Sequence, residues 1–155
     1  LSSNKNRFHD LLPFDQTRIK LVKSGSNASN DYINASGFDP LFASNSSFNI
    51  RPNLIPNFIT TQLPNDIYDF WLMVIQQKCE LIICMCKENE FDLNAKTNLP
   101  NYYFPIDKNV PLILSNLKIN LQSTKETSYS IQRVLTVTIE NNTRTVVLFQ
   151  YLIGK

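Results

Sequence analysis

The chain has 155 residues, of which 43% are hydrophobic and 18% are charged, and this composition excludes a disordered tail and suits one globular domain. Its net charge of +2 lacks the basic footprint of a nucleic-acid-binding protein or a polybasic membrane-surface segment. No apolar stretch is long enough to span a bilayer and no secretory signal is visible. We therefore expect no nucleic-acid partner, no membrane partner and a cytoplasmic location.

The first part of the chain predicts short β-strands separated by loops. Residues 1–16 are polar around Pro13 and indicate a loop. Residues 24–30 form a turn cluster around Gly25, and residues 39–57 are rich in Pro, Ser and Asn, which is typical of a loop. Weak alternation or enrichment in β-formers predicts the strands between them. The predicted strands are residues 18–22, 32–36 and 58–61.

The next segment predicts an amphipathic helix, because its apolar residues recur at i, i+3, i+4, i+7 and i+8. Asn65 is the predicted N-cap, and Asp66 and Asp69 lie near the positive end of the helix dipole. Lys78 lies at the negative end, where a cation is favourable. The residues on the apolar face are Ile67, Phe70, Trp71, Val74 and Ile75, and we expect Phe70 and Trp71 to belong to the core.

The second half of the chain predicts a sheet. Residues 81–86 read Leu-Ile-Ile-Cys-Met-Cys, a continuous apolar run that predicts a strand buried on both faces. Residues 87–111 are irregular and contain three prolines. Further β-runs follow at residues 117–121, 129–139 and 145–151, and the last two predict a hairpin with its turn at Asn141 and Asn142.

A series of short segments, in this order, resembles the beginning of the protein tyrosine phosphatase domain. The resemblance covers nearly the whole chain but only about the first half of the family's domain. It implies an α/β, truncated phosphatase-like fold over residues 1–155, with a twisted mixed β-sheet and flanking helices. The segments are Lys5-Asn6-Arg7-Phe8, Pro13 to Arg18, Asp31 to Ser36, Phe58 to Pro64, Asp69-Phe70-Trp71, Tyr103-Phe104-Pro105 and Phe149-Gln150-Tyr151.

The resemblance also implies which catalytic motifs a complete domain of this family contains. The family uses a cysteine thiolate and a guanidinium in His-Cys-x5-Arg, and a proton donor in Trp-Pro-Asp. Neither motif occurs in these 155 residues, so we expect no catalytic residue, no acid loop and no catalytic cysteine loop here. The odd cysteine count fits reduced thiols, packed as small hydrophobes. Six positions after Cys79, Cys84 and Cys86 stand Met85, Glu90 and Asp92.

Two substrate-binding residues carry over from the resemblance. Phe8 replaces the family's pocket tyrosine and keeps the ring that stacks on the substrate phenyl. Asp10 matches the position that holds the substrate peptide backbone, and a solvated turn carboxylate is an equally weighted alternative. His9 stands between them at the pocket mouth. Leu63 replaces a family glycine, which puts the local turn in question if that glycine needs positive φ.

Other charged residues receive structural interpretations. Asp107 matches the segment around Tyr103-Phe104-Pro105 and not the acid loop, so we expect a surface carboxylate. Arg7 and Arg18 are expected to tie loops to carboxylates. Lys96 echoes a family lysine near the active site, but its spacing to Tyr103 is too long for the match.

The sequence leaves three functions open. The first is a truncated, catalytically inactive phosphatase-like protein that acts by protein interaction; the Asn-rich composition suits a viral, bracovirus-type relative located in host cytoplasm. The second is a fragment of an active tyrosine phosphatase, and the third is a gene remnant. No cofactor or metal is indicated. The expected partners are tyrosine-phosphorylated proteins, bound weakly, and a partner protein or a second copy that covers an open sheet edge and apolar face.

Overall fold

A computed structural model describes residues 5–8, 10–23, 30–38, 57–86, 91 and 102–152. The chain divides into two compact units, residues 1–69 and 70–155. The α/β class and the mixed sheet predicted from the sequence are both present. No helix in the described part of the chain is long and apolar enough to cross a membrane.

The first unit contains a three-stranded antiparallel sheet in the order β1-β2-β3. The strands are β1 (Arg18–Lys20), β2 (Tyr32–Phe38) and β3 (Phe58–Thr61), close to the predicted ranges. Ile33 and Ala35 alternate toward the core along β2. The predicted loops at residues 24–30 and 39–57 lie almost wholly outside the described residues.

Helix α1 (Ile67–Gln76) forms where the periodicity predicts it. The predicted N-cap Asn65 is wrong, because the Asp66 carboxylate accepts a hydrogen bond from the Asp69 amide at 3.0 Å and the helix begins one residue later. The helix ends at Gln76, and Lys78 just after it has φ 55°, the left-handed conformation typical of a helix C-terminus. The Cys79 amide donates to the Val74 carbonyl at 2.9 Å and closes this end. The burial of Phe70 and Trp71 confirms the core prediction.

The second unit contains a five-stranded sheet in the order β4-β8-β7-β6-β5, antiparallel except that β4 runs parallel to β8. Strand β5 was not predicted, and β6 is longer than predicted. The hairpin between β7 and β8 is confirmed, but its predicted turn at Asn141 and Asn142 is one residue too late. The turn consists of Glu140 (φ 53°) and Asn141, because Asn142 already pairs with Ile139 as the first residue of β8. The strands are β4 (Leu81–Cys84), β5 (Leu112–Leu114), β6 (Leu117–Glu126), β7 (Ser130–Ile139) and β8 (Asn142–Tyr151).

One face of this sheet is buried and apolar. Side chains alternate between faces along a strand, and buried positions recur at every second residue in the first half of β6, along most of β7 and in the second half of β8. These residues bury hydrocarbon surface, which is the main stabilising term for the unit. The buried residues are Leu117, Ile119, Leu121, Leu135, Val137, Val146 and Leu148.

Strand β4 departs from its prediction. It ends at Cys84, and it is not buried on both faces, because Leu81, Ile83 and Met85 are all more than half exposed. Only Cys84 is fully buried along the strand. Among the described strands β4 pairs with β8 alone, so it forms one edge of the sheet with apolar side chains in solvent.

Candidate functional site

The two predicted substrate-contact residues lie in one surface loop of the first unit. The Phe8 ring is 51% exposed and the Asp10 side chain is exposed, while His9 lies outside the described residues. A half-exposed ring and a nearby carboxylate are available to a ligand. Their role in binding a substrate stays a prediction.

The backbone of this loop is held by two amide side chains. The side-chain Oε1 atom of Gln62 accepts hydrogen bonds from the Arg7 backbone amide at 2.9 Å and from the Phe8 backbone amide at 3.4 Å. The Leu11 carbonyl accepts from Gln62 Nε2 at 3.1 Å and from Asn34 Nδ2 at 2.8 Å. Both ends of the loop are therefore fixed before any ligand arrives, which lowers the ordering cost of binding.

Asn6 connects this loop to β2. Its Oδ1 atom accepts hydrogen bonds from the Tyr32 hydroxyl at 2.7 Å and from Asn34 Nδ2 at 2.9 Å, and Asn6 itself is buried. Buried polar groups are costly unless they are paired, so this pairing stabilises the loop's position. Two segments that resemble the phosphatase family thus interlock through polar side chains.

Asp69 is the most buried charge in the first unit, with a side chain only 2% exposed. Its Oδ2 atom lies 2.5 Å from Lys5 Nζ, which also donates to the Asn30 side chain and the Tyr32 carbonyl. Its Oδ1 atom accepts no hydrogen bond of good geometry from a described residue, yet the Lys23 ammonium 2.5 Å away compensates its charge. Burial alone would lower the pKa of Lys23, but Asp69 outweighs it and raises that pKa.

A cavity of about 20 Å³ adjoins this ion-pair cluster and is lined by Lys5, Asn34, Gln62, Asp66 and Asp69 among others. That volume holds about one water molecule and no organic substrate. The residues around the cavity therefore have a structural role in the described conformation.

In the second unit, the matched Tyr103-Phe104-Pro105 segment packs on α1. The Trp71 indole donates to the Tyr103 carbonyl at 2.5 Å, and the Phe70 ring lies edge-on to the Tyr103 ring at 5.0 Å between centroids. Burial raises the pKa of the Tyr103 phenol, so it stays neutral. This segment is part of the core.

The backbone of Cys86 is linked through Gln150 to the buried Arg133. Arg133 Nη1 donates to Gln150 Oε1 at 3.0 Å, and its guanidinium lies over the Phe104 ring at 4.8 Å. Gln150 in turn donates to the Cys86 carbonyl at 3.1 Å. The guanidinium is thus occupied by structural contacts, which does not match the fork that clamps a phosphoryl group.

Burial governs the environment of two of the three thiols, those of Cys79 and Cys84. Cys84 is buried, and its Sγ lies 3.9 Å from the Cys86 carbonyl oxygen. Burial raises the pKa of the half-buried Cys79 thiol, whereas a nucleophilic thiolate needs a lowered pKa. The prediction of a buried small hydrophobe is confirmed for Cys84, while Cys79 and Cys86 are half-buried.

The family profile described as protein-tyrosine phosphatase matches residues 2–153. The chain belongs to the protein-tyrosine phosphatase family. This finding confirms the resemblance carried by the interlocked segments above.

Named tyrosine phosphatases from several organisms are similar to this family member. Tyrosine-protein phosphatase non-receptor type 23 of Rattus norvegicus is 33% identical over 87% of the chain and 8% of the relative. Tyrosine-protein phosphatase 1 of Dictyostelium discoideum is 28% identical over 97% of the chain and 28% of its own length. A protein-tyrosine-phosphatase of Arabidopsis thaliana is 30% identical over 84% of the chain and 41% of its length. The chain spans less than half the length of these relatives.

The remaining sequence predictions have mixed outcomes within this phosphatase-like structure. Arg18 forms an ion pair with Asp31, as predicted, and Asp107 is an exposed residue whose carboxylate accepts from the Asn109 amide at 2.8 Å. Leu63 is not among the described non-glycine residues with positive φ, so it fits its turn without strain. Lys96 lies outside the described residues.

Sequence reasoning missed the roles of three residues in the first unit. Gln62 and Asn34 fix the loop that carries Phe8, and Lys23 completes the Asp69 cluster. Gln62 and Asn34 belong to segments that resemble the phosphatase family, and this resemblance was the sequence signal that could have indicated their roles. Lys23 belongs to none, and nothing in its sequence neighbourhood indicates a partner 46 positions away.

Proposed function

We propose that these 155 residues are a partial, phosphatase-like domain without the acid loop and the catalytic cysteine loop, which does not hydrolyse phosphotyrosine by itself and acts through protein contacts. The observation that carries the proposal is the state of the cysteines. Cys84 is buried, the pKa of Cys79 is raised, and no cysteine in the sequence is followed by arginine six positions on. Phosphoryl transfer to sulfur needs a thiolate and a cradle of donors around it.

The sheet of the second unit supports the interaction part of the proposal. Leu81 and Ile83 on the edge strand lie on the same face as their cross-strand partners Val147 and Phe149. The first two are exposed and the other two are half-buried. A contiguous apolar surface of this kind, beside a strand edge that pairs with no other described strand, favours a partner protein or a second copy.

Phosphotyrosine recognition by this chain is proposed to be weak. Stacking on the Phe8 ring contributes only about 1 kcal/mol. Each missing charge-assisted hydrogen bond to the phosphate would have contributed roughly 1.5–3 kcal/mol. Asp10 can hold a peptide amide, but it repels a phosphate. We expect phosphorylated peptides to be retained only slightly more than unphosphorylated ones in a pull-down, and Phe8→Ala to remove that small difference.

The catalytic part of the proposal is tested with p-nitrophenyl phosphate and the purified chain. Hydrolysis should equal the buffer background, and a variant with all three cysteines changed to serine should give the same rate. An active tyrosine phosphatase assayed in parallel shows that the conditions support turnover. Hydrolysis that a single Cys→Ser substitution abolishes would contradict the proposal.

A second candidate function is that the chain is one piece of an active tyrosine phosphatase. Its coverage of less than half of each named relative favours this reading. The test is the same assay on a longer polypeptide that contains these residues. Turnover that depends on a cysteine outside residues 1–155 would support the second candidate, and its absence would favour the first.

A further inference from the structure

An open groove of about 560 Å³ lies in the first unit, apart from the loop residues that the family resemblance assigns to substrate. Its volume is within the range of sites that bind small ligands or peptide side chains. We call it the Phe14 groove. Its lining residues include Leu12, Phe14, Asp15, Arg18, Asp31 and Tyr32.

The apolar wall of the Phe14 groove is exposed on a fixed backbone. Phe14 is 77% exposed and Leu12 is 43% exposed. The Phe14 carbonyl nevertheless accepts hydrogen bonds from the Thr17 amide at 3.0 Å and the Arg18 amide at 2.8 Å. The backbone that carries the phenyl ring is therefore fixed by its own turn, and the ring itself lies in water. Hydration of apolar surface is unfavourable, so a ligand that covers the ring gains free energy.

The other walls are also held in place. The Tyr32 hydroxyl donates to Asn6 Oδ1 at 2.7 Å, which fixes the ring. The Arg18 guanidinium donates two hydrogen bonds to the Asp31 carboxylate, at 3.2 and 3.3 Å. Because these contacts already exist, a ligand need not order the walls when it binds.

The charges around the groove select the sign of the ligand. Asp31 compensates the Arg18 guanidinium. The Asp15 carboxylate, 97% exposed, lies 3.4 Å from Arg18 Nε, which leaves one net negative charge among the three. A cationic group is the complement of this surface.

We propose that the Phe14 groove docks an extended segment of a partner protein. An apolar or aromatic side chain of the segment lies between Phe14, Leu12 and Tyr32, and a Lys or Arg faces Asp15. In an extended segment, residues i and i+2 point the same way about 7 Å apart, so one segment can present both side chains to the same surface. The docking uses no phosphoryl group and no thiol, so it goes beyond the proposed function and can fail independently of it.

The test begins with a positional-scanning library of unphosphorylated, fluorescein-labelled octapeptides and the full 155-residue chain. Selection should enrich Phe, Leu or Tyr with Lys or Arg two positions away. The best peptide is then measured by fluorescence anisotropy. Phe14→Ser and, separately, Leu12→Ser should weaken binding about fivefold or more, because they remove the apolar contact.

Ile106→Ser is the matched control, because Ile106 is similarly exposed but belongs to the second unit, and it should not change binding. Asp15→Asn should remove both the preference for Lys or Arg and most of the salt dependence. The proposal is overturned if no peptide saturates the chain or if binding requires phosphotyrosine. It is also overturned if Ile106→Ser weakens binding as much as both groove variants, or if Phe14→Ser changes only self-association.

Discussion

The two units are stabilised by different kinds of contact. In the first unit, polar side chains from distant segments meet: Asn6 with Tyr32, and Asp69 with two lysines. In the second unit, alternating apolar residues cover one face of a five-stranded sheet. Hydrogen bonds and ion pairs determine which individual side chains meet, whereas apolar packing determines only which face of an element is buried. The family segments of the first unit therefore hold its structure together through specific polar contacts.

The largest expected effect is the loss of the Asp69 carboxylate. Asp69→Ala leaves two nearly buried ammonium groups without their common partner, which should lower the free energy of unfolding by about 3 kcal/mol or more. Urea denaturation followed by circular dichroism measures it. Asp107→Ala, an exposed carboxylate, is the control and should cost less than about 1 kcal/mol. A similar loss in both variants would mean that the first unit does not depend on its ion pairs.

The two faces of β7 provide the next comparison. Leu135 is fully buried and its neighbour Val134 is half-buried on the opposite face. Leu135→Ala should lower the free energy of unfolding by about 3 kcal/mol, because it removes buried methyl groups and leaves a cavity.

Val134→Ala serves as the matched control, with an expected loss below about 1 kcal/mol. Both values come from urea denaturation under identical conditions. Equal losses would show that the second face of the sheet is also packed in solution.

The exposed edge strand predicts a change in association without a change in stability. Ile83→Lys places a charge on a side chain that is 61% exposed, so the free energy of unfolding should move by no more than about 0.5 kcal/mol. Self-association in sedimentation velocity should decrease, because the charge must be desolvated in any contact through β4. Ile113→Lys, equally exposed on β5, should not have this effect. Unchanged association with Ile83→Lys would remove β4 as the contact surface.

The smallest expected effects are at alkaline pH. The pKa of Cys79 is raised above its ordinary value of 9.0 by burial, and that of Lys23 above 10.5 by Asp69. A group whose pKa is higher in the folded state than in the unfolded state stabilises the fold fully at any pH below the unfolded-state pKa. This stabilisation is lost as the pH rises through the folded-state pKa.

Stability should therefore fall first above about pH 9 through Cys79 and then above about pH 10.5 through Lys23. Thermal unfolding between pH 8 and pH 11.5 measures both steps. Cys79→Ala should remove the earlier step and Lys23→Gln the later one. A curve that neither substitution alters would contradict the assignment.

The elements that the sequence predicted correctly are those with a local pattern. The period of α1 and the alternation along β7 arise from burial of one face, so they are visible in neighbouring residues. Strand β5 was missed because its three residues form a strand only through pairing with β6. The N-cap moved from Asn65 to Asp66 because both are good caps and only the three-dimensional path of the chain selects one.

The candidate site was predictable only where a family segment carried it. Phe8 and Asp10 were assigned by resemblance, and the structure brings them into one fixed loop. The continuous apolar run of β4 predicted burial on both faces of the strand. Burial also requires neighbouring elements, and among the described strands β4 pairs only with β8, while one of its faces remains exposed. The Phe14 groove combines residues from two segments, which no local pattern indicates.

By itself, the sequence determined the family, the secondary structure of the regular segments and the absence of a Cys-x5-Arg motif in these residues, because each depends on residue identity and short spacing. Only the tertiary structure decided which carboxylate pairs with Lys23, which face of β4 remains in water and which apolar side chains stay exposed around the Phe14 groove. Those outcomes depend on contacts between residues far apart in sequence, whose free energy exists only after the chain has folded.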